Sequence, residues 1–589
     1  MTTEQDQTPA PDSPVPGNSA TPDGPVPDSP ASDSPVPPSP VAKGFRPAWV
    51  TEELIAQWCA GVRRDASRRG PGSAESVTAV APFDLSPIAA VPACAPEDVA
   101  AAVAGARADQ PEWAGAPLRR RGDVVLAFHD LLLERQDQVI DLIQWETGKA
   151  RYHAWQEVAQ VAAIARHYAR RARHYLAPHH VRGMVPGLTK VKEVRVPKGV
   201  VGVISPWNYP LYLGVGDVLP ALMAGNAVVS KADSQTALTM LWTRALMAEA
   251  GLPSGLWRIV AGPGVVVGTA LVDAVDFVCF TGSTATGRTV AERAARRLVG
   301  VSLELGGKNP LIVREDADVA AAAAGTVVAA FANTGQMCIH VERVYVHEKV
   351  YDAFRAELLR ATRALRLGRS YDYSVDIGSL TSAAQLAAVE AHVDGAVAEG
   401  ATVLAGGRAR PDIGPLFYEP TVLEGVTPGM AVCDEETFGP VLSLYSYGAD
   451  SEAVGLANRG TYGLSASIWS KDSREAGRMA VRIRAGSVNI NDGAAAAAGS
   501  IEAGMGGMGD SGLGRRHGAE GIRKYTESQT IATQRLLPLG PAKAVDNSPE
   551  NSEERSAETA AGTSVKSSVE SFVRRTNGQL TLLRRLRVR

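Results

Sequence analysis

VDFVCFTGSTATGRT, residues 275–289, carries the reading of the fold. The apolar run 277–280 predicts a strand. It enters a glycine turn at Gly282 and leaves as a helix, expected over 287–298. Such a strand–turn–helix unit aims free backbone N–H groups and the positive end of a helix at one point, which suits an anion. The spacing nearly repeats a Walker A loop, G-x-x-x-x-G-K-[ST], but Arg288 stands in the lysine position. No apolar run ending in Asp follows nearby to complete a P-loop. From these residues alone, a dinucleotide site, an ATP site and a plain turn all stay open. A second glycine run, GPGVVVG at 262–268, has one residue too many for a dinucleotide fingerprint.

Working outward, the same alternation continues from about residue 76 to 536. Val/Ile-rich runs at 200–205, 227–230, 258–260, 301–305 and 487–490 predict strands. Ala-rich periodic stretches at 118–134, 153–175, 236–250 and 318–331 predict helices, the first with Pro117 just ahead of it. Strands alternating with helices give an α/β fold built on parallel sheets. An amphipathic helix is expected from residue 47 to about 69.

Composition fits a globular protein: of 589 residues, 45% are hydrophobic and 21% charged. The net charge of -3 gives no sign of nucleic acid as a partner. Five cysteines, with no C-x-x-C pair, make neither a disulfide framework nor a zinc cluster, so no metal is expected. The first residues lack a basic region followed by an apolar core, so no secretory signal is expected. Two uncharged runs, 199–216 and 319–341, are too interrupted or too alanine-rich for an integral membrane segment. A cytoplasmic, reducing location follows as the expectation. Residues 1–45 form a tail rich in Pro, Ser and Asp, with 12 of the 37 prolines in the first 40 residues, and read as disordered. Residues 537–589 read as a second disordered tail, ending in an Arg-rich stretch that reads first as a frayed charged end, with an acidic partner or anionic lipid as the alternative.

Two residues stand out chemically. Cys338 follows the polar, glycine-containing break NTGQM, where a thiol can be exposed, whereas Cys279 sits in a strand pattern and Cys433 precedes DEE. Glu304 interrupts an apolar strand and precedes two glycines. A carboxylate there is either structurally paired or poised as a base with raised pKa.

Five motifs then occur in one order: SPWNYP (205–210), FTGSTATG (280–287), LELGGKNP (303–310), NTGQMC (333–338) and EETFGP (435–440). The series resembles the aldehyde dehydrogenase superfamily over roughly residues 76–536. KADSQTA, ARPDIGPLFYEPTV and the run beginning GGMGDSGLGRRHG resemble its actinobacterial, NADP-linked succinate-semialdehyde dehydrogenase branch.

The resemblance implies a Rossmann-type cofactor domain over 46–303, with an arm strand near 180–200. It implies a catalytic domain over 304–503, and a return to the cofactor domain over 504–536 with an oligomerisation strand. It implies Cys338 as nucleophile, Glu304 as the base for hydrolysis, and Asn208 with the Cys338 amide as oxyanion donors. Toward the cofactor it implies Gly282 and Ser283 at the pyrophosphate, Trp207 beside it and Lys231 at the adenosine ribose. Glu436 falls at the nicotinamide ribose and Phe438 near the ring.

Ser234 stands where many NAD-using relatives carry a glutamate, which favours NADP on electrostatic grounds, with NAD still possible. The substrate implied is succinate semialdehyde. The two arginines that usually grip its carboxylate are replaced by Gly216 and Ala332, so His340 and Arg343 become candidates and an uncharged aldehyde competes. Arg343 is alternatively expected in an ion pair with Glu342 or another acid. A homodimer or homotetramer is implied, its arm formed by residues 194–196 and 528–533.

Overall fold

Strands buried on both faces read as continuous apolar runs, and helices must cover them. That is how the first sheet is built. Its parallel strands are β1 (Val200–Ile204), β2 (Ala227–Lys231), β3 (Trp257–Val260), β4 (Phe277–Thr281) and β5 (Gly300–Glu304). Their spatial order is β5-β4-β1-β2-β3, and the late strand Gly512–Leu513 adds antiparallel to β5. The computed structural model describes residues 44–65, 76–183 and 189–534, with a few positions between 570 and 581. The tail 1–43 and the Arg-rich end beyond 581 lie outside the described residues.

The covering helices follow local rules. Pro96–Gly115 buries Val99, Ala102, Val103, Ala106 and Trp113 on one stripe, and the Trp113 indole donates to the Leu222 carbonyl at 2.9 Å. Pro210–Met223, here α2, is buried almost all round and follows the longer α1, Arg151–Leu176. The helix expected from residue 47 begins only at Glu52, because the Thr51 hydroxyl accepts from the Leu54 amide and sets the start. The helix expected over 287–298 instead spans Thr284–Ala295, called α3. Ser283 caps its first turn and Leu298 takes a left-handed φ of 56° beyond its end.

Between Glu304 and Asn309 the chain crosses to a second sheet. Its strands are β6 (Asn309–Val313), β7 (Val341–His347), β8 (Thr402–Ala405), β9 (Thr421–Glu424), β10 (Val441–Tyr447), β11 (Ser465–Trp469) and β12 (Ser487–Ile490). Their order is β8-β9-β10-β7-β6-β11-β12, with only β8–β9 antiparallel. The apolar run 319–341 divides: α4, Val319–Phe331, gives way to left-handed Asn333 and Thr334.

A third, three-stranded sheet stands apart. Thr526–Gln534 pairs with Thr189–Pro197, which pairs with His179–Arg182. Every residue of Thr526–Gln534 except the first is exposed. No helix among the described residues is long and apolar enough to cross a membrane.

Candidate active site

Cys338 is the only one of the five cysteines that is not buried, and none of the five is in a disulfide. The chain delivers it through a strained turn. Asn333 and Thr334 sit at φ 53° and 59°, and Gly335 at 70°. A Cβ on Gly335 would lie 2.0 Å from the Gly439 carbonyl, so only glycine fits there. The Gln336 side chain locks the turn by donating to the Asn333 and Ser379 carbonyls, while its own oxygen accepts from the Thr381 amide at 3.0 Å.

Cys338 and Glu304 wall one cavity of about 280 Å³, together with Thr281 and Arg516. Much of the remaining wall is apolar or small: Val328, Ala329, Trp469, Ala494, Ala495 and Ala498. Glu304 ends β5, beside its register partner Thr281 on β4. It is 3% exposed, and its Oε1 has no hydrogen-bond partner among the described residues. Burial pushes its carboxyl up to about 7, against the pull of Arg516 and Lys524. Burial, and then the charges of Glu304 and Glu436, push the Cys338 thiol up to about 12. Attack by sulfur therefore needs the thiol proton to leave first.

Asn208 lies in the loop after β1. Its Nδ2 donates to the Gln336 carbonyl at 2.9 Å, which leaves one of the two amide hydrogens for another acceptor. Its position is fixed from behind. The buried Lys149 ammonium donates to the Asn208 carbonyl and to Glu157, both at 2.6 Å, and lies 4.0 Å from the Tyr209 ring centroid. Glu157 in turn accepts from the first amides of α2, Leu211 and Tyr212, at 2.9 and 3.0 Å. This buried pair was not legible in the sequence.

The residues expected at a dinucleotide gather at the carboxyl edge of the first sheet. Strand order reverses between β1 and β4, the place where such sheets bind ligands. Trp207 follows β1, and Gly282 and Ser283 follow β4. Ser283 accepts from the Thr286 amide at 3.3 Å and is exposed at the start of α3. Lys231 ends β2; it is 5% exposed and its ammonium makes no hydrogen bond among the described residues, and burial holds its pKa down against the pull of Asp233. Ser234 reaches only the Gly262 carbonyl, at 3.5 Å. Glu436 accepts from the Gly307 amide through Oε1 at 2.9 Å, and burial pushes it up to about 7. Phe438, at φ 52°, sets its ring edge-on to Trp207 at 5.7 Å. A buried cation without a partner, an open helix start and a carboxylate with a spare oxygen fit the ribose hydroxyls and phosphates of a nicotinamide dinucleotide.

The structure corrects several expectations. Arg343 makes no ion pair with Glu342, because neighbours on a strand point to opposite faces. It donates instead to the carbonyls of Lys308, Leu456, Ala457 and Arg459. His340 lies 3.0 Å from Glu342 and meets the Met337 carbonyl. Neither His340 nor Arg343 lines the cavity, so neither is placed to grip a substrate carboxylate. Arg288 turns from the glycine turn to Asp510 at 2.8 Å, away from a Walker lysine's role. The run 262–268 is a short irregular turn with Val265 exposed. Arg516, which the sequence reading passed over, is the only Lys, Arg or His lining the cavity among the described residues.

A family model described as "Aldehyde dehydrogenase family" matches residues 70–531. A Mycolicibacterium smegmatis protein, provisionally named succinate-semialdehyde dehydrogenase (NADP+), is 51% identical over 458 residues, covering 78% of this chain and 89% of its own length. The NAD-dependent aldehyde dehydrogenase of Sinorhizobium meliloti superposes with a TM-score of 0.77 at 35% identity, covering 80% of this chain and 95% of that one. A betaine aldehyde dehydrogenase from Staphylococcus aureus, solved in complex with NAD+, superposes at 0.76 with 32% identity, covering 80% and 96%.

Proposed function

The chain belongs to the aldehyde dehydrogenase family, and from that premise we propose that it oxidises succinate semialdehyde to succinate with NADP. The observation that carries the chemistry is the shared cavity. The one accessible thiol and an unpartnered buried carboxyl face the same small space.

In this reading the Cys338 proton passes to solvent, and the sulfur attacks the aldehyde carbon to form a thiohemiacetal. The Cys338 amide and the second Asn208 amide hydrogen stabilise the oxyanion. A bound nicotinamide supplies the hydride acceptor. The residues that hold it are Lys231 and Ser234 at the adenosine ribose, Gly282, Ser283 and Trp207 at the pyrophosphate, and Glu436 with Phe438 at the nicotinamide end. Glu304 then takes a proton from water, and the water oxygen attacks the acyl carbon of the Cys338 thioester. The carbon–sulfur bond breaks, releasing the acid and restoring the thiolate.

The names of the 51% identical relatives support this substrate and cofactor. So does Ser234, which presents a hydroxyl rather than a carboxylate. NAD stays a possible second cofactor, as in the S. aureus relative. The cavity wall favours a second substrate reading: Arg516, its only cation among the described residues, is already paired with Asp217, so an uncharged aldehyde fits it equally well. Absorbance at 340 nm decides between them, with succinate semialdehyde and hexanal, each with NADP or NAD. Much the higher kcat/KM for succinate semialdehyde with NADP supports the first reading, and a preference for hexanal supports the second. No turnover that Cys338→Ser changes would sink both.

The exposed strand Thr526–Gln534 offers an open sheet edge, and we infer that a second copy covers it in a homodimer or homotetramer. A monomeric mass by sedimentation would overturn that inference. Cysteines that are not in disulfides suit a cytoplasmic setting.

A further inference from the structure

The steps above leave Arg516 in the cavity wall unused. Arg516 is 7% exposed. Its Nη2 donates to Asp217 at 2.6 Å and also to Thr281, the register partner of Glu304. Asp217 is held by more than Arg516. Its Oδ1 accepts from Lys524 at 2.9 Å and from the Tyr525 hydroxyl at 2.7 Å, and Lys524 also meets the Ser302 hydroxyl at 3.1 Å. Burial opposes ionisation of Asp217, but Arg516 and Lys524 outweigh it and hold its carboxyl well below the usual range. Arg516 is thus clamped by an ionised partner, and its orientation is fixed.

Two buried polar atoms stay without partners among the described residues beside this clamp: Nε of Arg516 and Oε1 of Glu304. One is a donor and the other an acceptor, and both residues wall the same cavity. Buried polar groups left unpaired are rare and costly, so a complementary pair at one cavity points to a shared occupant. The charged groups acting on Glu304 are Arg516, Lys524 and Arg515, opposed by Asp217, and Glu304 in turn acts on Cys338 and Tyr212.

Resting on the assignment of Glu304 as the hydrolytic base, we propose that Arg516 is a positioning residue for that base: it sets a fixed positive charge beside the Glu304 carboxylate and, through its free Nε–H, orients the water that Glu304 deprotonates. The water oxygen bonds to the acyl carbon of the Cys338 thioester. One water proton passes to Glu304, and the carbon–sulfur electron pair returns to sulfur. Arg516 itself neither gains nor loses a proton, since a guanidinium does not titrate near neutrality. Its charge is shared with Asp217, and a substrate carboxylate beside it would face the negative charge of Glu304.

The test uses p-nitrophenyl acetate and full-length protein without cofactor. The Cys338 thiolate attacks the ester carbonyl and expels p-nitrophenolate, which gives a burst, and hydrolysis of the acetyl-enzyme sets the steady rate. Arg516→Gln should keep the burst and slow the steady rate at pH 7 by about tenfold. The midpoint of its rising pH limb should move up by about one unit, the size of effect expected from losing a nearby opposite charge. Arg516→Lys should restore most of that midpoint, and Arg516→Met takes the place of the glutamine variant if that one does not fold. An unmoved midpoint and steady rate in the glutamine or methionine variant overturns the proposal. So does a rise in KM for succinate semialdehyde but not hexanal, in the NADP-linked assay, with an unchanged pH profile; that result would make Arg516 the substrate's carboxylate anchor. Glu304→Gln run alongside separates the premises: if it keeps the full steady rate, the assignment of the base has failed rather than the role of Arg516 beside it.

Discussion

The backbone amide of Gly282 donates to the carbonyl of Glu304 at 3.1 Å. The turn that opens toward the expected pyrophosphate is thereby tied to the residue expected to activate water. A shift in one moves the other, although Gly282 and Glu304 belong to different motifs in the sequence.

This tie makes Gly282→Ala informative. A Cβ there would lie 2.6 Å from the Phe280 ring, so the turn must move. We expect KM for NADP to rise by roughly tenfold or more as the phosphate cradle deforms. Cofactor-free hydrolysis of p-nitrophenyl acetate should fall less. Equal losses in both assays would mean that the change acts on Glu304 first.

Iodoacetamide should label one thiol in the folded protein. Cys338 is partly exposed, and the other four are buried. Peptide mass analysis should find carboxamidomethyl at Cys338 and none in Cys338→Ser, whose dehydrogenase activity should drop at least about 1,000-fold. Labelling elsewhere at comparable rate would show that accessibility does not single out this thiol.

Hydrolysis should depend on pH in a set direction. Burial raises the Glu304 carboxyl to about 7, and only its ionised form accepts a proton from water. The steady rate should therefore be high above that value and fall as pH drops through it. Glu304→Gln should abolish this limb and let the acyl-enzyme accumulate after a normal burst. A flat profile between pH 6 and pH 8 in the unaltered protein would be the contrary result.

Lys149→Met removes one partner of a buried ion pair and leaves Glu157 to carry its charge alone. Breaking such pairs costs about 3–5 kcal/mol, so the melting temperature should fall by several degrees. The Asn208 carbonyl loses its anchor as well, so kcat should fall more than KM rises. A variant with unchanged melting and unchanged kcat would remove Lys149 from the support of the oxyanion donor.

Ser234→Glu should exchange the cofactors. A carboxylate at this position repels a 2′-phosphate and accepts from free ribose hydroxyls. KM for NADP should rise by about tenfold or more, with KM for NAD level or lower. If both rise together, position 234 does not face the adenosine ribose.

Much of the site was legible because its signals are local. Glu304 stands out as a charge inside an apolar strand, and Cys338 as a thiol after a run of turn residues. Ser283 carries its own capping logic within three residues, although the helix start was placed at Gly287 and the cap at Ser283 moves it forward. What was hidden depends on partners brought from afar. Arg516 gains its meaning from Asp217, 299 residues earlier, and the pairing of Lys149 with Glu157 matters because of what it does to Asn208, 59 residues on from Lys149. Arg343 misled for the opposite reason. Its sequence neighbour Glu342 looked like a partner, but Glu342 turns to Lys308 while Arg343 is drawn to carbonyl oxygens. Of the second sheet, only β12 was read beforehand; β6 is a short apolar run just after two glycines, and β7 and β10 interleave polar with apolar residues although they are buried along most of their length.

The late strand Gly512–Leu513, laid against β5, has a consequence for how the protein is made. Cys338 and Glu304, the thiol and carboxyl proposed to carry the chemistry, leave the ribosome well before the segment that closes over Glu304 and brings Arg516 to it. A nascent chain can hold both reactive groups and still lack the clamp, so competence should arrive only near the end of synthesis. Messages cut short before Tyr525 would then yield inert chains rather than half-working ones, and the reactive pair would stay idle until the polypeptide is nearly complete.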